Sequence, residues 1–181
     1  MKKTNRQSIL EKIIEDFQKN NELIDNNNSV FELFSLNQIM KANDVSFENI
    51  TNSIVDGGND GGIDSIVIIH RGECLDIDSD HKFDNDSKIK LIISQCKKES
   101  SFSEISIDKL ISTIPVLFNS NKTDKELKQR FNDQILEKKQ IFNKAWEEIL
   151  VAKGSLEIYI NYITFADKIE VNQTFKSKKD Q

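Results

Sequence analysis

Four of the six glycines in this 181-residue chain fall within one six-residue window, at positions 57, 58, 61 and 62. The window reads GGNDGG and is followed at once by the β-branched run IDSIVII, residues 63–69. Glycine adopts backbone conformations with positive φ that other residues avoid, whereas a run of isoleucine and valine favours a β-strand. The chain is therefore expected to make a tight loop that leads directly into a strand, with aspartates at the junction.

The hydrophobic pattern on either side of this loop predicts an alternation of helices and strands. The expected helices cover residues 5–20, 30–41, 46–54, 104–118 and 124–153. The expected strands cover residues 63–69, 89–97 and 156–165, and residues 74–77 are expected to pair back briefly on the first strand. Helices, then antiparallel strands, then helices and a last strand predict an α/β sandwich in which helices flank a mixed central sheet.

Capping signals indicate where several helices begin and end. Ser29 and Glu32 have the spacing of a capping box at the start of the second helix. Ser103 is expected to cap the fourth helix, and Pro115 to kink or end it. Gly154 lies where the C-terminal cap of the long helix belongs.

The length of the chain is that of a single domain with a substantial core. We expect a core over residues 28–165, preceded by an N-terminal helix within residues 1–25 and followed by a flexible tail over residues 166–181. Because the chain stops in a basic tail soon after its last strand, it could be the N-terminal fragment of a longer protein.

The composition and the hydrophobic pattern indicate the compartment in which the protein works. No apolar run approaches the roughly 20 residues of a membrane span, and the N-terminus lacks the apolar region of a signal peptide, so we expect a cytoplasmic protein without a membrane partner. Cys74 and Cys96 fit reduced thiols. The net charge of −5 does not itself indicate nucleic-acid binding, but basic residues gather at Lys88, Lys90, Lys97, Lys98, Lys122, Lys125, Lys128 and Arg130.

Three residues have the side-chain types and the spacing of a metal-dependent catalytic site. Asp64 lies at the start of one predicted strand, and Gln95 and Lys97 lie two residues apart on the next, so their side chains share a face. If the two strands are neighbours, the carboxylate, the amide oxygen and the amine converge. Oxygen ligands of this kind hold Mg²⁺, and the adjacent lysine could orient a water for attack on a phosphodiester. The glycines would leave room for the substrate backbone.

The segments NDGGIDSIVII and IISQCKKESSF resemble the PD-(D/E)xK nuclease superfamily, in the branch that writes the last motif as QxK, as Mrr-type restriction enzymes do. More narrowly, FELF, DGGIDSI and QCKKESSFSE together, within residues 30–118, resemble the amino-terminal region of abortive infection phage resistance proteins. The resemblance implies a restriction-endonuclease-like fold and a Mg²⁺-dependent endonuclease, with Mn²⁺ as a substitute, that acts on nucleic acid, with DNA expected, in antiphage defence. It is compatible with a homodimer and with further domains or defence-system partners.

Carried over residue by residue, the resemblance makes Asp64 the motif aspartate, Gln95 and Lys97 the QxK pair, and Glu32 the upstream helical glutamate. Gln95 stands where a glutamate is usual, so Glu32 is expected to supply the missing charge. The backbone carbonyl of Cys96 could add a further oxygen ligand.

Several competing interpretations remain open. Glu32 could simply close the capping box with Ser29, and Asp60 fits a turn or an outer position beside the metal better than a ligand position. The alternative function is a nuclease-like module that no longer cuts and that binds nucleic acid or docks to a protein. A minor third is a calcium module over residues 76–86, although His81 and Ser87 replace the glycine and glutamate of an EF-hand loop.

Overall fold

The computed structural model of the protein describes residues 3–24, 27–43, 45–55, 57–78, 80–99 and 103–166. The tail expected to be flexible lies, from residue 167 onward, outside the described residues. Within this part of the chain, no helix is long and apolar enough to cross a membrane.

Six helices and four strands are formed by the described residues. The helices are α1 (Asn5–Asn20), α2 (Asn27–Met40), α3 (Phe47–Thr51), α4 (Glu104–Leu117), α5 (Asp124–Leu127) and α6 (Asp133–Ala152). The strands are β1 (Ser65–His70), β2 (Glu73–Cys74), β3 (Lys88–Lys97) and β4 (Ser155–Thr164). The predicted order of helices and strands is confirmed except for the break between α5 and α6, and the return strand expected at residues 74–77 is Glu73–Cys74.

The strands form one open mixed sheet in the order β2-β1-β3-β4. β1 pairs antiparallel with β2 and β3, whereas β3 and β4 run parallel over ten residue pairs. A parallel neighbour needs a crossover connection, which α4, α5 and α6 supply between β3 and β4. The predicted α/β architecture with a mixed sheet is confirmed at this level.

Helices cover both faces of the sheet, and alternate residues of β3 point to different layers. Ile89, Leu91 and Ile93 pack in a core with α4, α5 and α6, on what we call the α6 face. Ile92 and Cys96 pack against the N-terminal helices, on what we call the α2 face. The period of two that a strand imposes thus assigns every side chain of β3 to one layer.

The start of α2 differs from the prediction. The helix begins at Asn27, so Ser29 lies inside it and is not its N-cap. The capping-box interpretation of Glu32 is therefore wrong. The physical reason is that asparagine caps a helix about as well as serine, so capping preference alone could not choose Ser29 over the asparagines that precede it in the sequence.

The single long helix predicted over residues 124–153 is also wrong, because the chain breaks between α5 and α6. Asn132 caps α6 by accepting the Ile135 N–H, 2.9 Å away. Its own N–H donates to the carbonyl of Asn59 at 2.9 Å, and its amide donates to the carbonyls of Val55 and Gly58 at 3.0 and 3.1 Å. These bonds join Asn132 to Val55 and to the loop at residues 57–62, which we call the glycine loop. They end the helix that the continuous hydrophobic periodicity predicted.

The C-cap of α6 is Lys153, one residue before the expected cap, Gly154. Lys153, with φ of 59°, adopts the left-handed conformation. Gly154 is needed for space, because a Cβ there would lie 2.6 Å from the Ser87 carbonyl and 2.5 Å from an Ile149 side-chain carbon.

Candidate active site

Asp64 lies one residue before β1 and is fastened to β3. Its Oδ2 accepts the Cys96 N–H at 2.6 Å, and its own N–H donates to the Ser94 carbonyl at 2.9 Å. The residue is only 5% exposed. A hydrogen bond to a carboxylate is stronger than one between neutral groups, so this contact fixes the direction of the carboxylate beside the Gln-Cys-Lys segment.

Gln95 is buried on the α6 face of β3, 2% exposed. A Cβ built on Gly62 would lie 2.9 Å from the Gln95 Nε2 and 3.3 Å from the Lys109 Cδ, so the amide fits against the glycine loop beneath α4. Its Oε1 has no hydrogen-bond partner within the described part of the chain. An unsatisfied buried oxygen is costly, which makes this atom a candidate ligand for a cation.

Lys97 is the last residue of β3 and is partly buried. It lines an open pocket of about 200 Å³ at the carboxyl end of the strand, together with Phe31, Glu32, Cys96, Lys98 and Glu99. Glu32 enters from α2. Two lysines and two glutamates therefore meet where β3 leaves the sheet, next to the backbone that holds Asp64.

The surroundings of the Cys96 thiol show that the carboxylates of Asp64 and Glu32 both lie near it. Its thiol is buried on the α2 face, 4% exposed, among Phe31, Phe34 and Phe165. Burial first, and then the negative charges of Asp64 and Glu32, raise the pKa of the thiol to about 12. The thiol therefore stays protonated at neutral pH and is no nucleophile, while both carboxylates lie within electrostatic reach of it.

The structure thus brings the predicted residues together in two pairs. Asp64 is bonded to the strand that carries Gln95 and Lys97, and Lys97 shares the pocket with Glu32. Gln95 lies on the α6 face against Gly62, whereas Glu32 approaches from the α2 face. Glu32 and Lys97 meet in the pocket at the end of β3.

Asp60 has a turn role. Its Oδ1 accepts the Gly62 N–H at 2.6 Å and lies 3.6 Å from the Lys109 Nζ. An aspartate that bonds a backbone N–H two residues on is a common turn device. The contact supports the interpretation of Asp60 as a residue that shapes the loop.

Gly61 and Gly62 have a role in packing that the sequence did not indicate. Both have positive φ, at 65° and 87°. A Cβ on Gly61 would lie 2.5 Å from a Thr113 methyl carbon and 2.8 Å from the Phe131 ring. These two glycines face the protein interior and not a substrate, so the expectation that all four leave room for one is wrong here. Of the described residues, none would come within 4 Å of a Cβ at Gly57 or Gly58.

Sequence reasoning missed the residues that hold the glycine loop from outside. Lys109 covers Gly62, and the Thr113 hydroxyl donates to the Gly61 carbonyl at 2.8 Å from 52 residues away. Asn132 bonds the loop from still farther along the chain. Lysine, threonine and asparagine are common in and beside helices, and these three lie far from the glycine loop in the sequence. No local sequence pattern could therefore have identified them.

Among the described residues, no group of three or more His, Cys, Asp or Glu side chains is arranged to hold a metal. The candidate donor set is of another kind: two carboxylates, from Asp64 and Glu32, and the amide oxygen of Gln95, which has no hydrogen-bond partner among the residues that the structure describes. These are hard oxygen donors, the type that Mg²⁺ and Mn²⁺ prefer. The donor types therefore fit such an ion, with one amide in place of a third carboxylate.

Comparisons of the chain with protein-family models, with curated proteins and with solved structures find no match.

Proposed function

We propose that the protein is a metal-dependent nuclease with a restriction-endonuclease-like arrangement, which hydrolyses phosphodiester bonds of nucleic acid, DNA being the expected substrate, in antiphage defence. The observation that carries the proposal is the 2.6 Å bond from the Cys96 N–H to Asp64. It fixes a carboxylate against the segment that ends in Lys97, which opens onto a pocket with Glu32. The proposal includes a cytoplasmic site of action and further domains or defence-system partners.

In this proposal Asp64 and Glu32 would hold one Mg²⁺ through their carboxylates at the end of β3. The Gln95 amide, which packs against Gly62 on the α6 face, would turn its oxygen toward the ion as a neutral ligand. The ion would lower the pKa of a bound water and polarise a phosphoryl oxygen. Two carboxylates balance the charge of a divalent ion, which accounts for a glutamine at position 95. The pocket, lined by both charge signs, admits a phosphate more easily than an all-acidic cleft would.

The role of Lys97 follows from its position at the pocket. Its ammonium would bind the scissile phosphate, orient the attacking water and offset the charge that builds up on the phosphate during attack. Lys98 lines the same pocket one residue on. Lys90 lies on the same strand as Lys97 but outside this pocket, where its ammonium donates to the Asn43 side chain at 3.1 Å, so Lys90 is the matched control for a change at Lys97.

The experiment is cleavage of supercoiled plasmid, with a single-stranded RNA as a second substrate, in Mg²⁺ and in EDTA. We expect Asp64→Ala and Lys97→Ala, each with wild-type circular dichroism, to abolish metal-dependent cleavage, and Lys90→Ala to retain it. Unchanged nicking by folded Asp64→Ala and Lys97→Ala would falsify the assignment. Cleavage of the RNA alone would contradict DNA as the substrate.

A second candidate is a nuclease-like module that binds nucleic acid or docks to a protein without cutting. The observation that favours it is the burial of the candidate ligands, with Gln95 and Asp64 only 2% and 5% exposed. It predicts that wild type leaves plasmid intact, and that any duplex binding in a gel-shift assay persists in Asp64→Asn. Cleavage that requires Asp64 would exclude it.

A further inference from the structure

The outer strand of the sheet differs from an ordinary edge strand. Within the described part of the chain, β4 is the last strand in the order β2-β1-β3-β4, and it runs for ten residues. Three successive side chains at its middle are exposed, with Ile158 at 54%, Tyr159 at 46% and Ile160 at 51%. Edge strands are usually protected by lysine, proline, a bulge or a short length, and the sequence from Ser155 to Thr164 has no lysine or proline.

The direction in which the backbone groups of β4 point follows from the pairing with β3. Ser155 donates its N–H to the Ser87 carbonyl, and Phe165 donates to that of Lys97. Because successive residues of a strand point their backbone groups to opposite sides, the odd-numbered residues of β4 bond β3. The even-numbered residues, Ile158 and Ile160 among them, direct their N–H and C=O groups outward.

We propose that the outer edge of β4 pairs antiparallel with β4 of a second copy of this chain, about a two-fold axis at Tyr159. This register places Ile158 opposite Ile160 of the second copy and the two Tyr159 side chains opposite each other, so the exposed side chains meet. At the centre of such a ladder, the outward groups of Ile158 and Ile160 of the two copies would form about four hydrogen bonds.

The charges of β4 suit a second copy. A two-fold interface brings identical surfaces together, so an edge rich in one charge would repel itself. Glu157 is the single charged residue between Ser155 and Thr164. Its carboxylate accepts the Lys88 ammonium at 2.8 Å and the Tyr159 hydroxyl at 2.9 Å within the same chain. In the proposed register Glu157 lies opposite Asn161, so no like charges face each other.

The same register would join two sheets into one continuous sheet. Ile158 and Ile160 lie on the α6 face, since they pair with Leu91 and Ile93 of the core. Four isoleucines, two from each copy, would extend that core row across the axis. This pairing depends on β4 alone, so it is independent of the chemistry proposed for Asp64 and Lys97.

The test is the molar mass of the full chain in solution by light scattering, over a range of concentrations, for wild type and Ile158→Pro. Proline here removes an outward N–H and no bond to β3. Ile160→Lys is a second variant in case the proline disturbs folding, and Ile105→Lys is a control at an isoleucine that is 82% exposed on α4. We expect wild type and Ile105→Lys to be dimers, and the two β4 variants to be folded monomers.

Two outcomes would overturn the proposal. One is a dimer that both β4 variants leave intact. The other is a wild-type monomer at all concentrations. Slow hydrogen exchange at Ile158 and Ile160 in such a monomer would mean that another segment of the same chain covers the edge.

Discussion

The Oδ2 of Asp64 and the backbone N–H of Cys96 are 2.6 Å apart, and both residues are buried. This one contact joins the end of the glycine loop to the strand that carries Gln95 and Lys97. It gives Asp64 a structural role in addition to the role proposed for it at a metal, so the two roles must be separated by experiment.

Replacement of Asp64 by alanine is expected to lower the free energy of unfolding by about 1–3 kcal/mol, because the Cys96 N–H loses its buried acceptor. Asp64→Asn should cost less, since the amide oxygen can accept the same bond while the charge is lost. Urea denaturation of both variants measures the difference. Equal destabilisation by alanine and asparagine would show that the hydrogen bond contributes nothing to stability.

A methyl group at Gly62 is expected to destabilise the fold more than one at Gly58. The two glycines have similar φ, 87° and 81°, so the backbone strain of Gly62→Ala and Gly58→Ala is matched. Only at position 62 does the new carbon collide, at 2.9 Å from the Gln95 Nε2. Overpacking of this kind costs about 1–3 kcal/mol, and that is the difference expected in unfolding free energy. Similar losses at both positions would mean that Gln95 moves aside freely.

Asn132 is expected to stabilise two elements at once. Asn132→Ala should remove both the cap of α6, a loss of about 0.5–2 kcal/mol, and the anchors to Val55 and Gly58. Asn132→Asp keeps an oxygen for the cap but loses the amide donor.

Hydrogen exchange at the start of α6 and in residues 55–62 separates the two effects. We expect faster exchange in both regions for Asn132→Ala, and in the loop alone for Asn132→Asp. A rise confined to α6 in both variants would contradict the anchoring role.

His70 is expected to make stability depend on pH. It is 2% exposed beside Phe83, and neither ring nitrogen has a hydrogen-bond partner among the described residues. Burial first, then the neighbouring His81 and Arg71, lower its pKa below the ordinary 6.5. The folded state therefore favours neutral His70.

The sign of this effect follows from proton linkage. Below pH 6.5 the unfolded chain binds the proton more readily than the folded one, so stability falls as the pH drops through that value. We expect His70→Phe to lose less unfolding free energy than wild type between pH 7.5 and 5.5, measured in urea. Identical losses would show that His70 does not contribute.

Local chemistry made much of the fold predictable. The β-branched runs identified β1, β3 and β4, because alternation and strand composition act within a few residues. Ser103 marks the start of α4 as expected, accepting the Ser106 N–H. The errors lie where distant contacts decide the local structure, as at Asn132, which ends the continuity of a helix by bonding a loop 74 residues away.

The candidate site was predictable in part for the same reason. The pairing of β1 with β3 brings Asp64 to the Gln-Cys-Lys segment, as the two strand patterns implied. The inward packing of Gly61 and Gly62 against Thr113 and Gln95 was not, because a glycine required for space has no local signature distinct from one required for a turn.

The most direct measurement is calorimetric titration of Mn²⁺ into wild type and Asp64→Asn, with Lys90→Ala as the control. The account predicts one site per chain in wild type and in the control, with heat of binding that disappears in Asp64→Asn. No binding to folded wild type, or binding that Asp64→Asn leaves unchanged, would contradict it.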